Sequence, residues 1–68
     1  MIMEVPRALL SRAESEFLEM PGLKLTPSQA GRLWGLEPTI SELVLAALAA
    51  SGFLFRSQDG AYLLRSGR

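Results

Sequence analysis

The sequence predicts one small, mainly α-helical domain that ends in a two-stranded β-hairpin. Three observations carry this fold class. Apolar residues recur at helical spacing in three segments. The second and third segments begin at helix-start signals and are separated by a short turn that contains a glycine. Near the C-terminus, Asp59-Gly60 lies between two β-prone runs, which is a strong hairpin signal.

The first helix is expected from about Pro6 to Met20. Its polar side carries glutamates and an arginine, and its apolar side is made by five residues at helical spacing: Leu9, Leu10, Ala13, Phe17 and Met20. Pro6 suits the first helical position, and Pro21-Gly22 ends the helix. The alternating Leu23-Lys24-Leu25 that follows is long enough only for a connector or a minimal strand.

The second helix has the strongest local signal in the chain. Thr26-Pro27-Ser28-Gln29 combines a threonine cap, a proline at the first helical position and a glutamine at the third, which is a capping box. We expect a helix over Pro27–Trp34 that Gly35 closes in the left-handed conformation. Its buried residues should be Ala30, Leu33 and Trp34.

The third helix has two competing starts. Pro38 suits a first helical position, whereas Thr39-Ile40-Ser41-Glu42 also fits a capping box, so the two starts differ by a residue or so. In either case the helix runs to about Ala50 and ends at Ser51-Gly52. Two short helices joined by a tight glycine-containing turn form a helix-turn-helix pattern.

The C-terminal hairpin is expected from Phe53–Arg56 and Ala61–Arg65, with its turn at Ser57–Gly60. All 68 residues then form one domain, in which residues 1–5 and 66–68 should be frayed. A domain of this size buries only about 60% of its unfolded surface, so its stability is marginal and a partner subunit is a reasonable expectation.

Composition excludes several kinds of site. The chain has no Cys and no His, which excludes disulfides, Cys/His metal sites, thiol nucleophiles and imidazole bases. The longest apolar run, Leu43–Ala50, is far shorter than the ~20 residues that cross a bilayer, and the N-terminus lacks the pattern of a secretory signal. We therefore expect a soluble, cytoplasmic protein with no membrane partner.

Charge is balanced overall but unevenly distributed. Seven basic residues match seven acidic ones, whereas a domain built only to hold phosphates usually has a basic excess. Four glutamates outnumber two arginines in residues 1–20, and three arginines outnumber Asp59 in residues 51–68. An anion-binding surface is therefore expected toward the C-terminal end.

Three stretches carry a resemblance to a known family. They are Leu25-Thr26-Pro27-Ser28-Gln29-Ala30-Gly31-Arg32-Leu33-Trp34-Gly35-Leu36, Leu48-Ala49-Ala50-Ser51-Gly52-Phe53-Leu54 and Asp59-Gly60-Ala61-Tyr62. In their order the chain resembles the winged helix-turn-helix domains of many bacterial transcription regulators, such as the MarR type, over roughly Arg7 to Arg65. The resemblance implies that the helix Pro38–Ala50 is the recognition helix, whose N-terminal part enters the major groove of DNA.

The register that this resemblance implies separates two faces of the third helix. Ser41, Val44, Leu45 and Leu48 would face the core, and Thr39, Ile40, Glu42, Leu43, Ala46 and Ala47 would face outward. The outward face departs from a good DNA reader, because base edges are best matched by Arg, Lys, Asn or Gln. It offers one hydroxyl, one carboxylate that phosphates repel, and an apolar patch.

The candidate DNA contacts are accordingly spread over three elements: Ser28, Arg32, Thr39, Arg56 and Arg65. Arg32 is the best phosphate contact, because the resemblance places it on the helix that crosses the DNA backbone and no local role explains it. In the family that the chain resembles, the C-terminal hairpin is called the wing. Arg56 and Arg65 could hold phosphates from this wing or could simply protect an exposed edge strand, and the two interpretations weigh about equally. Ser28 lies inside the capping box, and local structure is the stronger explanation there.

No enzyme, metal or cofactor site is expected. The glutamates Glu14, Glu16 and Glu19 form a solvated helix face with no other catalytic group beside them, and no phosphate-binding loop, dinucleotide glycine pattern or serine-nucleophile elbow is present. Trp34 and Tyr62 are expected in the core rather than as stacking platforms.

Two functions from different classes remain. The first is a small DNA-binding regulator that works as a homodimer on double-stranded DNA, since two linked sites supply avidity that one neutral domain lacks. The second is a protein-interaction or dimerisation module that uses an apolar stripe on the outer face of the third helix. That stripe consists of Ile40, Leu43, Ala46 and Ala47, and a slight rotation of the helix that buries Leu43 is the alternative reading of the same residues.

Overall fold

The computed structural model describes residues 5–65 as three helices and one three-stranded antiparallel sheet. The elements in chain order are α1 Arg7–Glu19, β1 Lys24–Leu25, α2 Pro27–Trp34, α3 Pro38–Ala50, β2 Leu54–Arg56 and β3 Tyr62–Leu64. The fraying expected at residues 1–4 and 66–68 lies outside the described residues. Val5, the remaining residue of that expectation, is half-buried against the core.

Helix α1 is one residue shorter at each end than predicted. Pro6 is its cap rather than its first residue, because the Pro6 backbone is extended (ψ 139°) while its carbonyl already accepts the Leu9 and Leu10 N–H groups at 3.0 and 3.3 Å. At the other end Met20 lies outside the helix and is 48% exposed, which corrects its assignment to the apolar stripe. The buried residues of the stripe are Ala13 and Phe17.

Helix α2 begins and ends as predicted. The Thr26 hydroxyl accepts from the Gln29 N–H at 3.2 Å and the Gln29 side chain accepts from the Thr26 N–H at 3.0 Å, which confirms the capping box. Gly35 closes the helix with φ 70°. The prediction that Leu33 is buried was wrong: Leu33 is 50% exposed, because α2 turns Ala30, Gly31 and Trp34 toward the core.

The corner between α2 and α3 is set by a glycine. The two helices are inclined by 109° to each other. Gly31 is buried there, and a Cβ at its position would lie 2.6 Å from the Leu36 carbonyl oxygen and 3.1 Å from Ser41 Oγ. Only a residue without a side chain allows α2 to approach the Leu36 backbone and the first turn of α3 this closely.

Helix α3 starts at Pro38, with Glu37 as a cap that forms no side-chain hydrogen bond, which decides between the two predicted starts. Its predicted core face is confirmed, because Ser41, Val44, Leu45 and Leu48 are all buried. The helix ends in a Schellman motif, in which the Gly52 N–H donates to the Ala49 carbonyl and the Phe53 N–H to the Leu48 carbonyl, both at 3.0 Å. Gly52 takes φ 89°.

The sheet has three strands rather than the two of the predicted hairpin. Its order is β1-β3-β2, so the minimal strand β1 joins the hairpin: Leu25 pairs with Tyr62, and Lys24 with Leu63. In the hairpin Leu54 pairs with Leu64, and Arg56 with Tyr62.

The core lies between the helices and the inner face of the sheet. The predicted core positions of Trp34 and Tyr62 are confirmed, since both are buried. Its buried members are Ala13, Phe17, Leu25, Ala30, Trp34, Val44, Leu45, Leu48, Leu54 and Tyr62.

Candidate nucleic-acid interface

The exposed face of α2 carries two of the candidate contacts. Ser28 and Arg32 are four residues apart in the helix, so their side chains lie on the same face, and both are exposed. The one ion pair within residues 5–65 joins Lys24 to Asp59, so the Arg32 guanidinium has no carboxylate partner in that part of the chain. Arg32 is also in the last turn of α2, next to the corner where α3 begins.

The start of α3 brings a hydroxyl close to carboxylates. Thr39 is exposed in the first turn of α3. Glu37 caps the helix and Glu42 lies three residues beyond Thr39 on the same face, and both are exposed. Carboxylates at this end of the helix repel phosphate, so contacts to an anionic backbone depend on the arginines of the other elements.

The two hairpin arginines lie at opposite ends of the hairpin. Arg56 is the last residue of β2, next to the turn. Arg65 follows β3, and its N–H donates to the Phe53 carbonyl at 3.0 Å, at the base of the hairpin beside the end of α3. The strand register separates them by three positions, about 10 Å along the strands. Both side chains are exposed, but they cannot act as one cluster.

The hairpin turn is tied to β1 by an ion pair. Lys24 Nζ lies 3.2 Å from Asp59 Oδ2, and the Ser57 hydroxyl donates to the other carboxylate oxygen of Asp59. The Ser57 hydrogen bond, together with the Lys24 ammonium, holds the pKa of Asp59 below its usual value. Asp59 is the only side-chain carboxylate in residues 51–68, and it is paired with Lys24 of β1. The arginines of that segment are therefore not neutralised by it.

The outer face of α3 is partly covered by its own neighbours. Ala46 is exposed, whereas Ile40, Leu43 and Ala47 are half-buried. Leu43 is not among the residues that pack against the core cluster. Most of the stripe is therefore only partly accessible to solvent.

A second apolar surface, which the sequence analysis did not predict, lies where the end of α1, β1 and α2 meet. It is an open groove of about 520 Å³. Its lining consists of Met20, Leu23, Lys24, Leu25, Gln29, Arg32 and Leu33. We call this the α1–α2 groove. In the sequence this groove is indicated only by Leu33. An eight-residue helix that already buries Ala30 and Trp34 cannot also bury a large apolar residue on another face, so Leu33 stays exposed.

No other functional chemistry is assembled in the part of the chain that the structure describes. Residues 5–65 hold no group of three or more acidic side chains placed to bind a metal ion. No single helix in that range is both long and apolar enough to span a membrane. The Trp34 indole N–H is buried without a hydrogen-bond partner there.

Comparison with known proteins adds no assignment, because no protein-family model, curated protein or solved structure matches the chain.

Proposed function

We propose that this chain is a winged-helix protein of the cytoplasm that binds double-stranded DNA mainly through phosphate contacts. The observation that carries the proposal is the exposure of Arg32 and Arg56, neither of which has a carboxylate partner within residues 5–65. Arg32 lies beside the corner at which α3 begins, and Arg56 beside the hairpin turn. The order of helices and strands supports the same proposal, because it is the order expected from the winged helix-turn-helix resemblance.

In this proposal each candidate residue makes a different contact with DNA. Arg32 holds a phosphate from the end of α2, with the Ser28 hydroxyl on the same face as a neutral hydrogen-bond donor. Arg56 holds a second phosphate from the wing. Thr39 is the residue of α3 that lies against the major groove of the DNA. Arg65, at the base of the hairpin, contributes to the positive potential around the hairpin. A surface of this kind positions DNA without reading much sequence, because base readout needs more donors and acceptors than α3 offers.

Fluorescence anisotropy with a labelled random-sequence duplex tests this function. At low salt we expect a dissociation constant in the micromolar range that weakens steeply at physiological salt. Arg32→Ala and Arg56→Ala should each lower the slope of log K against log salt by about one unit. Arg12→Ala is the matched control, because Arg12 is an exposed arginine on α1, and its slope should not change. The proposal fails if the duplex does not bind at low salt, or if Arg12→Ala has the same effect as Arg32→Ala.

A second candidate function rests on the outer face of α3. Ile40, Leu43 and Ala47 are half-buried outside the core cluster, and Ala46 beside them is exposed and small enough for close approach of another helix. In this function the domain docks a protein partner through that stripe. Leu43→Glu should then abolish the association and leave the circular dichroism spectrum unchanged. A Leu43→Glu variant that still associates would show that the stripe is not the docking surface.

A further inference from the structure

The α1–α2 groove has an apolar floor that solvent reaches. Met20, Leu23, Leu25 and Leu33 form this floor. Leu33 is 50% exposed and Met20 is 48% exposed, so the groove collects two of the four large apolar side chains that are exposed within residues 5–65. Exposed apolar surface gathered in one concavity of a small domain is typical of a binding site.

The polar side chains of the groove offer hydrogen-bond donors. They belong to Lys24, Gln29 and Arg32, and none of the described residues that line the groove carries a carboxylate. The Gln29 side-chain oxygen already accepts from the Thr26 N–H at 3.0 Å, whereas its amide N–H groups are left to donate. An occupant of the groove therefore meets positive charge and N–H groups around the apolar floor.

Both cations of the groove can take a carboxylate from an occupant. Arg32 is exposed and forms no ion pair with any residue of the range 5–65, and its guanidinium can hold a carboxylate through two parallel hydrogen bonds. Lys24 Nζ lies 3.2 Å from Asp59, which offsets part of its charge. However, the Lys24 side chain is 49% exposed and its ammonium has three donors, so a second carboxylate can bind there.

We infer that the α1–α2 groove binds an acidic amphipathic helix of another protein. Apolar side chains of that helix pack on the floor, and its carboxylates pair with Arg32 and Lys24. A helix suits an open groove because only its apolar face has to be covered, whereas a small ligand is usually enclosed by its pocket. Nucleic acid matches the charge of the groove but not its floor, because a phosphate loses hydration against apolar side chains.

Fluorescence anisotropy with a labelled synthetic peptide tests the inference. The probe is a helical peptide of about 16 residues, with leucines at helical spacing on one face, glutamates on both sides of them and alanine elsewhere. At low salt we expect a dissociation constant on the order of tens of micromolar, which weakens as salt is added. A peptide with lysine in place of glutamate, and one with alanine in place of leucine, should each bind at least about tenfold more weakly.

Paired variants of the chain locate the peptide. Leu33→Gln should weaken binding at least about fivefold, because the floor loses apolar contact, and Leu18→Gln is its control, since Leu18 is an exposed leucine outside the lining. Arg32→Gln should weaken binding by about two- to fivefold and reduce its salt dependence. Arg12→Gln is the matching control on α1 and should change neither. All four replaced side chains are exposed, and circular dichroism verifies folding.

Four results would overturn the inference. No binding of the glutamate peptide at about 1 mM protein would exclude an acidic helix as the occupant. Equal binding of the lysine peptide would exclude recognition by charge. Equal losses for Leu33→Gln and Leu18→Gln would place the peptide outside the groove. Decanoate that binds as tightly as the peptide would assign the groove to a small amphipathic anion.

The inference goes beyond DNA binding and does not depend on it, because peptide binding is measured without DNA. Arg32 serves both surfaces, so its variant cannot separate the two functions. Arg56 and Leu33 can. Arg56→Ala should weaken binding of the duplex and leave binding of the peptide unchanged, and a duplex that fails to bind would refute only the DNA-binding function.

Discussion

Replacing Gly31 by alanine tests whether the α2–α3 corner is set by close approach. In an open helix this change stabilises by about 1 kcal/mol, since glycine is a poor helix former. Here the added Cβ meets the Leu36 carbonyl oxygen at 2.6 Å, although ordinary contact begins at 3.4 Å. The oxygen is part of the backbone and cannot rotate away, and the Leu36 N–H is already bonded to the Gly31 carbonyl at 2.9 Å.

The corner must therefore open by roughly 0.8 Å, the difference between those two distances. Overpacking of this kind costs about 1–3 kcal/mol. At the upper end of that range, which a rigid backbone contact favours, the cost exceeds the gain in helix propensity by about 1–2 kcal/mol. In a domain of this length each kcal/mol lowers the melting temperature by about 4–8 °C. We expect Gly31→Ala to melt about 5–15 °C below the original protein in thermal denaturation followed by circular dichroism.

The matched control is Gly22→Ala. Gly22 has no atom within 4 Å of its added Cβ, and its backbone is not in the left-handed region. That variant should gain about 0.4–1 kcal/mol by restricting the unfolded chain. A Gly31→Ala protein that melts at or above the original temperature would refute the close-approach argument.

Three further variants test the local structure. Thr26→Ala removes the cap of α2 and should cost about 1 kcal/mol in urea denaturation, and an unchanged midpoint would mean that the cap contributes nothing. Gly52→Ala forces a side chain onto a backbone at φ 89° and should cost about 1–2 kcal/mol, while Gly52→Asn should cost less; equal costs would argue against backbone strain. Ser57 and Lys24 lower the pKa of Asp59 in the folded state, so this stabilisation is present above the unfolded carboxyl pKa of about 3.9 and is lost as pH falls through the lower folded value. Asp59→Asn should remove that part of the acid dependence, and identical urea midpoints against pH for the two proteins would contradict it.

Local signals allowed much of the backbone to be predicted from the sequence. The bounds of α2 follow from the capping box and from Gly35, because both depend on residues within one turn of the helix end. The end of α3 and the start of the hairpin could also be predicted from the sequence. Leu48, Gly52 and Phe53 have the spacing that the Schellman motif requires, so the pattern quoted for the family resemblance has a local physical cause.

Features that depend on contacts between distant segments could not be predicted. Helical periodicity does not decide whether Leu33 or Gly31 faces the core, because the rotation of α2 depends on its contacts with the rest of the fold, among them the close approach of Gly31 to Leu36. The Lys24–Asp59 ion pair requires the register of β1 on β3, which no residue near either one specifies. The α1–α2 groove has the same origin. By contrast, the positions of Arg56 and Arg65 at opposite ends of the hairpin could have been predicted. Counting residues outward from the Asp59-Gly60 turn places Arg56 near the turn and Arg65 near the base.

The pairing of β1 with β3 has a consequence for synthesis of the chain. Leu25 and Tyr62 are 37 positions apart, so this contact closes a loop that contains two helices and a strand. Closing a flexible loop of that length costs about 3 kcal/mol of chain entropy, which only the completed sheet and core offset. While the chain leaves the ribosome, α1, α2 and α3 are made first and must wait for Tyr62 to emerge before Leu25 has its strand partner. The cooperative fold therefore forms only after Tyr62 has left the ribosome, and the nascent helices keep their apolar faces uncovered until then.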